Sequence, residues 1–290
     1  MEQTVAVAAD QADRLAVPVS IGGRGWNFLI DTASTRTVVA SDVADSMGLE
    51  KGDALQILSI AGTETVPSVI IPDLVFSNLA LRDIHSPALL RKNLGGDGLL
   101  GLDILRNSRV SIDFRHASTL TISPSSGKSH KRDGDDDPGA IVVEARSRFG
   151  ELVVTSAEID GISTAVILDT GSESSIGNPA LANRLTHNSV HSLGSTTLVS
   201  VTGQKLPVSF GVIDKLLIGQ VTIADVPIVF GDVATFRQFK LLRRPAMLLG
   251  MDTLRQFARV TIDFPQREIK FWLRHDARES RPDRFILGSL

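Results

Sequence analysis

Two aspartates in this chain each follow a short apolar run and are followed by nearly the same residues. Asp169 lies in AVILDTGSESS (165–175), and Asp31 lies in NFLIDTASTRT (27–37). A short apolar run that ends at a turn residue indicates a buried strand. A carboxylate carried into such a place loses hydration, so it needs hydrogen bonds or a partner that shares its charge.

A pair of buried carboxylates is a group that can do acid–base chemistry. A single Asp at a strand end usually caps its own turn and is structural. Two copies in similar halves favour another role, because a twofold arrangement brings equivalent turns to the axis. Carboxylates roughly 3 Å apart cannot both ionise and therefore share one proton. Such a pair can take a proton from water and donate one to a carbonyl, which predicts amide hydrolysis at Asp31 and Asp169 with no metal and no cofactor.

The segments around the two Asp turns recur in one order along the chain. RVSIDF from Arg109 returns as RVTIDF from Arg259, and GLLGLDILRN (98–107) matches MLLGMDTLRQF (247–257). The offset between matched residues begins at 138 positions and increases along the chain, as small loop insertions would cause. Two copies of one β-rich unit of about 120 residues are therefore predicted.

The elements that must position Asp31 are mostly strands. The pattern predicts strands at Leu15–Ile21 and 26–30, on either side of a glycine-rich turn. A short helix is expected over 41–49, with Ser41 as its cap. Residues 55–71 are typical of a hairpin with a glycine turn, and the residues at its tip are Ala61, Gly62 and Thr63.

The second half repeats these elements around Asp169. NPALANRL, from Asn178, takes the place of the short helix. The hairpin returns over 198–210, and the residues at its tip are Thr202, Gly203 and Gln204. After each L-L-G segment a further short helix is expected, capped by Asp103 in one half and by Asp252 in the other.

These repeats divide the chain into four parts. Residues 1–122 form a first lobe and 140–274 a second lobe. Between them, 123–139 contain no apolar run, and the basic patch at 128–132 is followed at once by four acids. This mixed charge favours a flexible, solvated linker over a nucleic-acid contact. Residues 275–290 form a C-terminal tail, and the sequence leaves open whether it docks on a lobe or frays.

Composition excludes several classes of protein. The chain has 290 residues, 42% of them hydrophobic, and a formal net charge of −3, so a globular protein with no nucleic-acid partner is expected. It has no cysteine, which excludes disulfides, thiolate nucleophiles and Cys-ligated zinc. No apolar run approaches the ~20 residues that span a bilayer. The first residues carry acids and lack the charge and apolar pattern of a signal peptide.

Taken together, these motifs resemble the retropepsin-like aspartic proteases, in a single-chain form with two fused halves. The resemblance rests on V-I-L-D-T-G-S at Asp169, F-L-I-D-T-A-S at Asp31, and the later segments LLGLD and LLGMD. It covers nearly the whole chain apart from the linker and the tail. One D-T-G is a weak signal; two Asp turns, each followed by a hairpin and an L-L-G segment, are a strong one.

The resemblance implies a mostly β fold with few short helices, built as two β-barrel lobes related by a pseudo-twofold. It implies that Asp31 and Asp169 form the catalytic dyad of an aspartic endopeptidase, and that Thr32 and Thr170 hydrogen-bond across the twofold. Gly101 and Gly250 would pack beneath the Asp turns. Ser34 and Ser172 would reach the outer carboxylate oxygens, which would favour an acidic pH optimum.

The resemblance also implies how substrate is bound and where the protein acts. The two hairpins would be flaps that close over an extended peptide, and the chain would act as a monomer that is an intramolecular pseudo-dimer. Similar two-half proteins are exported, so a periplasmic or secreted location is expected if a signal peptide is absent from this sequence. A cytoplasmic location is expected instead if Met1 is the native start.

The chain departs from the family pattern at two points. Ala33 stands in the first active-site turn at a position where the family has glycine, and Gly171 is its counterpart in the second turn. Alanine is tolerated at position 33 only if its φ is negative. The chain has no tyrosine, so the flap tyrosine of pepsin-like enzymes is missing, which favours the retropepsin-like type. Ala33 leaves open a second hypothesis, a peptide- or partner-binding protein that is weakly active or inactive. A narrow processing protease that requires activation is a third.

Other candidate residues have simpler interpretations. His187 and His191 are four residues apart, a spacing that could bind a metal on a helix, but no Glu accompanies them and a surface loop is favoured. Asp113 and Asp263 in the two I-D-F segments are expected to be structural rather than catalytic. Ser172 and Ser175 have no histidine nearby in sequence to suggest a triad.

Overall fold

The computed structural model describes residues 3–6, 8–9, 14–77, 79–115, 119–125, 139–148, 151–185, 190–274 and 285–287. The chain is 59% strand and 11% helix, which confirms the mostly β prediction. None of the helices described is long and apolar enough to cross a membrane.

The first half contains eleven of the described strands and three of the described helices. The strands are β1 Gln3–Ala6, β2 Ala8–Ala9, β3 Leu15–Ile21, β4 Arg24–Ile30, β5 Val38–Ala40, β6 Glu50–Ser59, β7 Gly62–Phe76, β8 Leu79–Leu89, β9 Gly98–Leu100, β10 Ser108–Asp113 and β11 Thr119–Pro124. The helices are α1 Ser41–Ser46, α2 Arg91–Leu94 and α3 Leu102–Leu105.

The second half repeats this order. Its strands are β12 Ile141–Arg148, β13 Glu151–Ile159, β14 Ile162–Leu168, β15 Ile176–Gly177, β16 Val190–Val199, β17 Lys205–Ile218, β18 Val221–Phe230, β19 Ala246–Leu249, β20 Arg259–Asp263, β21 Glu268–Trp272 and β22 Phe285–Leu287. Its helices are α4 Pro179–Ala182, α5 Ala234–Gln238 and α6 Met251–Leu254.

Each half closes a β-barrel of the same topology. In the first lobe the strands run β3-β4-β9-β5-β8-β7, and a further pairing of β3 with β7 closes the ring. In the second lobe β13-β14-β19-β15-β18-β17 run in the corresponding order, closed by β13 with β17. The hairpin strands β6 and β16 extend from the two rings. This architecture confirms the predicted two-lobe retropepsin-like fold.

A sheet of strands from both halves joins the lobes. Its order is β1-β11-β10-β20-β21-β12, and it continues through β12 into the second barrel. The two I-D-F strands, β10 and β20, pair antiparallel at its centre. Ser111 lies opposite Thr261 at the middle of this ladder, and their hydroxyls are 2.7 Å apart. The strand β1 in this sheet and the short β2 are differences from the sequence prediction.

The backbone repeats as closely as the topology does. The turn before β4 has φ of 56° at Gly22, and the turn before β14 has φ of 48° at Asp160. Asp83 in β8 and Asp225 in β18 also share the left-handed region, with φ of 52° and 53°. A non-glycine residue with positive φ is uncommon, so the matched pair supports common descent of the two halves from one unit.

Apolar residues fill both barrels and the joining sheet. The larger core cluster runs through the two lobes without a break, and a smaller one lies inside the second lobe around Phe236 and Phe239. Both of these phenylalanines are fully buried. Burial of such a side chain contributes about 1.5–3 kcal/mol, which is how the short helix α5 is held on the second lobe.

Three sequence expectations are altered by the structure. Ser41 is the first residue of α1 and not its cap; the cap position is Ala40, which makes no side-chain capping bond. Strand β11 continues to Pro124, while most of the predicted linker, 126–138, lies outside the described residues. Of the tail, 285–287 form β22, which pairs antiparallel with β18.

Candidate active site

Each of the two aspartates stands directly after a central barrel strand. Strand β4 ends at Ile30 and pairs in parallel with β9, and the Asp31 N–H continues that ladder to Leu100 O at 3.0 Å. Strand β14 pairs in parallel with β19 in the same way, and the Asp169 N–H donates to Leu249 O at 3.0 Å. The L-L-G segments therefore hold both Asp turns in place.

The threonines after the aspartates join the two turns across the lobe boundary. The Thr32 N–H donates to Thr170 Oγ1, and the Thr170 N–H donates to Thr32 Oγ1, both at 3.2 Å. Their hydroxyls donate to Leu168 O at 2.9 Å and Ile30 O at 2.8 Å, each on the opposite lobe. All four bonds are buried, so the two Asp turns form one rigid unit.

The two carboxyl groups lie close enough at this junction for the charge of Asp31 to act on Asp169. A Cβ placed on Gly171 would be 2.4 Å from Asp31 Cγ and 2.5 Å from its Oδ2. The Asp31 carboxyl therefore lies against the turn that carries Asp169. Each carboxylate also accepts bonds from its own turn: Ala33 N–H reaches Asp31 Oδ1 at 2.9 Å, and the N–H groups of Gly171 and Ser172 reach Asp169 Oδ1 at 3.1 Å.

Burial raises the pKa of both carboxyl groups above the ordinary aspartate range. For Asp31, desolvation is opposed by the backbone bonds from Ala33 and Ser34 and by the charge of Arg14. For Asp169, desolvation acts together with the negative charge of Asp31 and raises its pKa to about 8. Both carboxyl groups are therefore easier to protonate in the folded protein than an ordinary aspartate.

Arg14 is a site residue that the sequence reasoning missed. It lies directly before β3 and donates from Nη2 to Leu94 O at 2.6 Å and from Nη1 to Gly171 O at 3.3 Å. The positive charge of Arg14 opposes the effect of burial and so partly offsets the raised pKa of both Asp31 and Asp169. The signal available in the sequence was an arginine next to a buried strand. A β-bulge in β13 shifts its register by one residue, so the position that matches Arg14 is Glu151, and the second half has no arginine there.

The structure explains the unequal pair Ala33 and Gly171. Neither has a positive φ, so an alanine at 33 carries no backbone strain. Glycine at 171 is required for a different reason, the space taken by the Asp31 carboxyl. The second turn therefore has no space for a side chain at position 171, whereas the first turn accommodates the methyl group of Ala33.

The serines of the two turns do not do what the resemblance implied. Ser34 Oγ donates to Arg36 O, and Ser172 Oγ donates to Ser174 O, both at 2.8 Å. Their hydroxyls close the loops that follow the turns instead of reaching the carboxylates. The expected hydroxyl contribution to an acidic pH optimum is therefore missing.

The short helices after the L-L-G segments brace the turns from below. Asp103 and Asp252 were expected to cap these helices, but the cap positions are Gly101 and Gly250. The Asp103 carboxylate instead accepts a hydrogen bond from Thr37 Oγ1 at 2.8 Å, and the Asp252 carboxylate accepts one from Ser175 Oγ at 2.6 Å. A side chain at either glycine would come within about 2.5 Å of the backbone of the turn above it.

Two hairpins extend over the aspartates from opposite lobes. The first is formed by β6 and β7, with its turn at Ile60 and Ala61, so Gly62 and Thr63 already belong to the returning strand β7. The second is formed by β16 and β17 and turns over 200–204, the loop that holds Thr202, Gly203 and Gln204.

The hairpins contact each other and the facing lobes. Thr202 Oγ1 donates to Glu64 Oε1 at 2.5 Å, from the second hairpin to the first. The Ala234 N–H of the second lobe donates to Ile60 O at 2.9 Å. On the other side, Gly203 lies against the side chain of Asn93 in α2. Both hairpins are therefore closed onto the opposite lobe.

The space beneath the hairpins is a cleft of about 460 Å³. Asp31 and Asp169 lie at its floor, with Ala33, Ser34, Gly171 and Ser172 around them, and both hairpins contribute residues to its walls. No group of three or more His, Asp or Glu side chains within the described residues is arranged to hold a metal ion.

The remaining candidates lie elsewhere. His191 is on strand β16, with Nε2 3.0 Å from Asp214 Oδ1 and both side chains substantially exposed; His187 lies outside the described residues. Asp263 is buried in the joining sheet, where it pairs with Arg109 at 2.9 Å. Ser175 is buried beneath the second turn on Asp252.

The chain matches a known protein family. The family model described as aspartyl protease matches residues 17–104 and 154–253, once in each lobe. The two matches enclose both Asp turns and both L-L-G segments. No curated protein matches the chain.

Proposed function

Because this chain belongs to the retropepsin-like aspartyl proteases, with two fused halves, we propose that it is an aspartic endopeptidase in which one Asp from each lobe acts on the same peptide bond. Membership in the family supports a peptidase in general terms. The observation that carries the finer proposal is the pair of adjacent carboxyl groups, joined by reciprocal threonine bonds, at the floor of a closed cleft.

The unequal surroundings of the two carboxyls suggest how they divide the work. Burial and the negative charge of Asp31 both raise the pKa of Asp169, so Asp169 can hold a proton. Asp31, with Arg14 nearby, is the carboxylate that takes a proton from a water molecule as its oxygen attacks the carbonyl carbon. Asp169 donates its proton to the carbonyl oxygen, which gives a neutral diol.

Collapse of the diol completes the reaction with the same two groups. Asp31 now carries the proton and gives it to the amide nitrogen as the C–N bond breaks. Asp169 takes the proton from one diol hydroxyl, so a carboxylic acid and an amine leave and the dyad regains its starting state. Neither a covalent intermediate nor a metal is required for this sequence of steps.

The hairpins give the proposal its substrate class. An extended peptide can lie between the floor of the cleft and two hairpin strands, with its backbone groups paired and its side chains pointing alternately up and down. Closure over the substrate would exclude bulk water from the carboxyl pair. We infer that the two lobes, 1–122 and 140–274, act together as one catalytic unit within a monomer.

A mixture of random peptides incubated at pH 4 to 8 and read by mass spectrometry tests the proposal. We expect the wild-type protein to cut internal peptide bonds and the variants Asp31→Asn and Asp169→Asn to cut none. Circular dichroism should show that all three proteins are folded. Intact peptides that nevertheless bind the wild-type protein would instead identify a peptide-binding module. Cuts that persist in the Asn variants would contradict the assignment of the two aspartates.

A further inference from the structure

The two sides of the cleft carry opposite charges. The residues that follow the first Asp turn are Thr35 and Arg36, and those at the equivalent positions of the second lobe are Glu173 and Ser174. All four line the cleft. The side chains of Arg36 and Glu173 are exposed, and neither belongs to an ion pair within the part of the chain that is described. Because the two turns are related by the pseudo-twofold, these charges lie on opposite sides of the carboxyl pair.

A second cavity extends the cleft on the Arg36 side. It has a volume of about 490 Å³ and shares Thr35, Gln56 and Gln238 with the cleft. Its outer wall is formed by the first hairpin and by α5, which carries Arg237. The loop that contains α5 runs over 231–245 and is longer than its first-lobe counterpart at 90–97. The extension therefore belongs to one side of an otherwise repeated cleft.

Arg237 is available to a ligand at the end of this extension. Its side chain is 66% exposed, and its neighbour Asp232 is also exposed, with Nη2 3.7 Å from Oδ2. Exposed pairs at such a distance contribute little, so an incoming carboxylate can compete for the guanidinium. Arginine binds carboxylates through two parallel hydrogen bonds, and the other polar groups lining the cavity are uncharged amides and hydroxyls.

We propose that this cleft selects peptides with opposite charges on the two sides of the cut bond, an acidic side chain toward Arg36 and Arg237 and a basic side chain toward Glu173. The inference rests on the proposed function for the bond that is cut, and it adds the charge pattern of the substrate. An extended peptide advances about 3.3 Å per residue, so charged residues a few positions from the bond reach both ends of the cleft.

Four matched peptides test this charge pattern. They share one apolar centre and carry Glu and Lys, Lys and Glu, two Glu, or two Lys on its two sides. Both mixed orders are included because the direction of the peptide in the cleft is free. Cleavage is measured as kcat/KM with the wild-type protein, and binding as Kd with the Asp31→Asn variant by fluorescence anisotropy.

We expect one mixed-charge order to exceed the other three peptides by about tenfold or more, with a preference that weakens as salt is added. The paired substitution Arg36→Glu with Glu173→Arg should transfer the preference to the opposite order. Arg237→Glu should weaken binding of the preferred peptide alone. The control Arg243→Glu, exposed on the same loop but not lining either cavity, should leave the ranking unchanged.

The two proposals fail in different ways. Equal cleavage and equal binding of all four peptides, unchanged by the charge exchange, would overturn the charge pattern and leave the peptidase intact. The expected ranking in Kd with no cleavage of any peptide by the wild-type protein would support the charge pattern and contradict the peptidase. Absence of both binding and cleavage for all four peptides would contradict both.

Discussion

Asp31 and Asp169 occupy equivalent positions but differ in their surroundings. Asp169 is 7% exposed, whereas Asp31 is half-buried and lies against Gly171 and near Arg14. A duplicated chain can change one copy of a turn without the other, which a symmetric homodimer cannot do. Ala33 and Arg14 are two such differences at a single site.

The pKa of Asp169 has a consequence for stability. A carboxyl whose folded pKa is raised to about 8 binds its proton more tightly in the folded state. Its stabilising contribution is therefore complete below pH 4 and is lost as pH rises through about 8. We expect Asp169→Asn, which keeps the shape without the charge, to match the wild-type Tm near pH 4 and to exceed it by several degrees at pH 9.

Scanning calorimetry from pH 4 to 9 measures this difference. For a domain of this size about 1 kcal/mol corresponds to 2–4 °C in Tm. Asp53→Asn, at an exposed position on β6, is the control and should follow the wild-type curve throughout. A Tm difference between Asp169→Asn and wild type that stays constant with pH would show that the carboxyl is not protonated in the folded protein.

Gly171 and Ala33 make a second matched pair at the residue scale. Gly171→Ala places a methyl group 2.4 Å from Asp31 Cγ, so the carboxyl must move from its place in the dyad. Overpacking of this kind typically costs 1–3 kcal/mol, and we expect kcat to fall by about 10- to 100-fold. Ala33→Gly removes a methyl group and should keep kcat within about threefold.

Comparison of peptide kcat for the two variants, with Tm as a check on folding, decides the matter. Equal losses in both would mean that the two turns have the same steric requirement. Full activity of Gly171→Ala would mean that Asp31 is free to move without loss of function.

At the scale of elements, the two hairpins cover the cleft, and the proposed function requires them to open for a substrate to enter. Their closed position depends on few polar contacts: Thr202 with Glu64, and Ile60 with Ala234. Ile60 also packs against the apolar cluster around Phe236. The first hairpin is therefore docked on the lobe whose inserted loop carries α5.

The Thr202–Glu64 bond is expected to couple the two hairpins. Thr202→Val keeps the shape of the side chain and removes the donor, so we expect faster hydrogen exchange at 56–66 and a KM raised by about two- to fivefold, with kcat preserved. Thr65→Val, at an exposed position next to Glu64 on the first hairpin, is the control. Hydrogen exchange read by mass spectrometry that shows no change in Thr202→Val would mean that the hairpins move independently.

The sequence and the structure agree where local pattern decides the outcome. The run at Leu15–Ile21 forms a strand with the predicted bounds, and the segment from Asn178 contains the short helix α4. The order of the repeated motifs predicted two copies of one β-rich unit, and the family resemblance implied that each copy is a barrel. Ser34 and Ser172 were misplaced because a hydroxyl has several acceptors within reach, and only the folded loop determines which is nearer.

Other features depend on contacts that no local pattern encodes. Arg14 is brought to the Asp turn of the opposite lobe, 157 residues away along the chain. The rising offset between the halves indicated inserted residues, but not that α5 would dock against the first hairpin. Asp103 and Asp252 reach upward to hydroxyl groups that lie 66 and 77 residues away, so their role as braces becomes visible only in the assembled lobes.

At the scale of the whole molecule, the joining sheet determines whether the two Asp turns meet. Asp263 is the most constrained charge in it: its side chain is 3% exposed, and it accepts bonds from Arg109 and Ser125 of the first half. The equivalent residue, Asp113, is 24% exposed and bonds mainly to its neighbour Arg115. The aspartate of the I-D-F motif is therefore buried and bonded to the other half in one copy, and more exposed and bonded locally in the other.

Removal of the Asp263 carboxylate should destabilise the protein more than removal of the Asp113 carboxylate. Asp263→Ala removes the acceptor of the bonds from Arg109 and Ser125. A hydrogen bond to a charged group is worth about 1.5–3 kcal/mol, so we expect the free energy of unfolding to fall by about that amount. Asp113→Ala should cost about 1 kcal/mol or less, as exposed pairs do. Urea unfolding of both variants measures the difference. Equal losses in the free energy of unfolding would show that the two ion pairs contribute equally to stability.

The central claim is that the carboxyls of two lobes act as one group, and the turnover of three variants tests it most directly. Residues that act as a unit are non-additive: the loss of either removes the whole contribution. We expect Asp31→Asn, Asp169→Asn and the double variant to fall to the same background rate, at least about 10³-fold below wild type. A single variant that keeps a tenth of wild-type turnover, or a double variant whose loss is the product of the two single losses, would contradict a shared dyad.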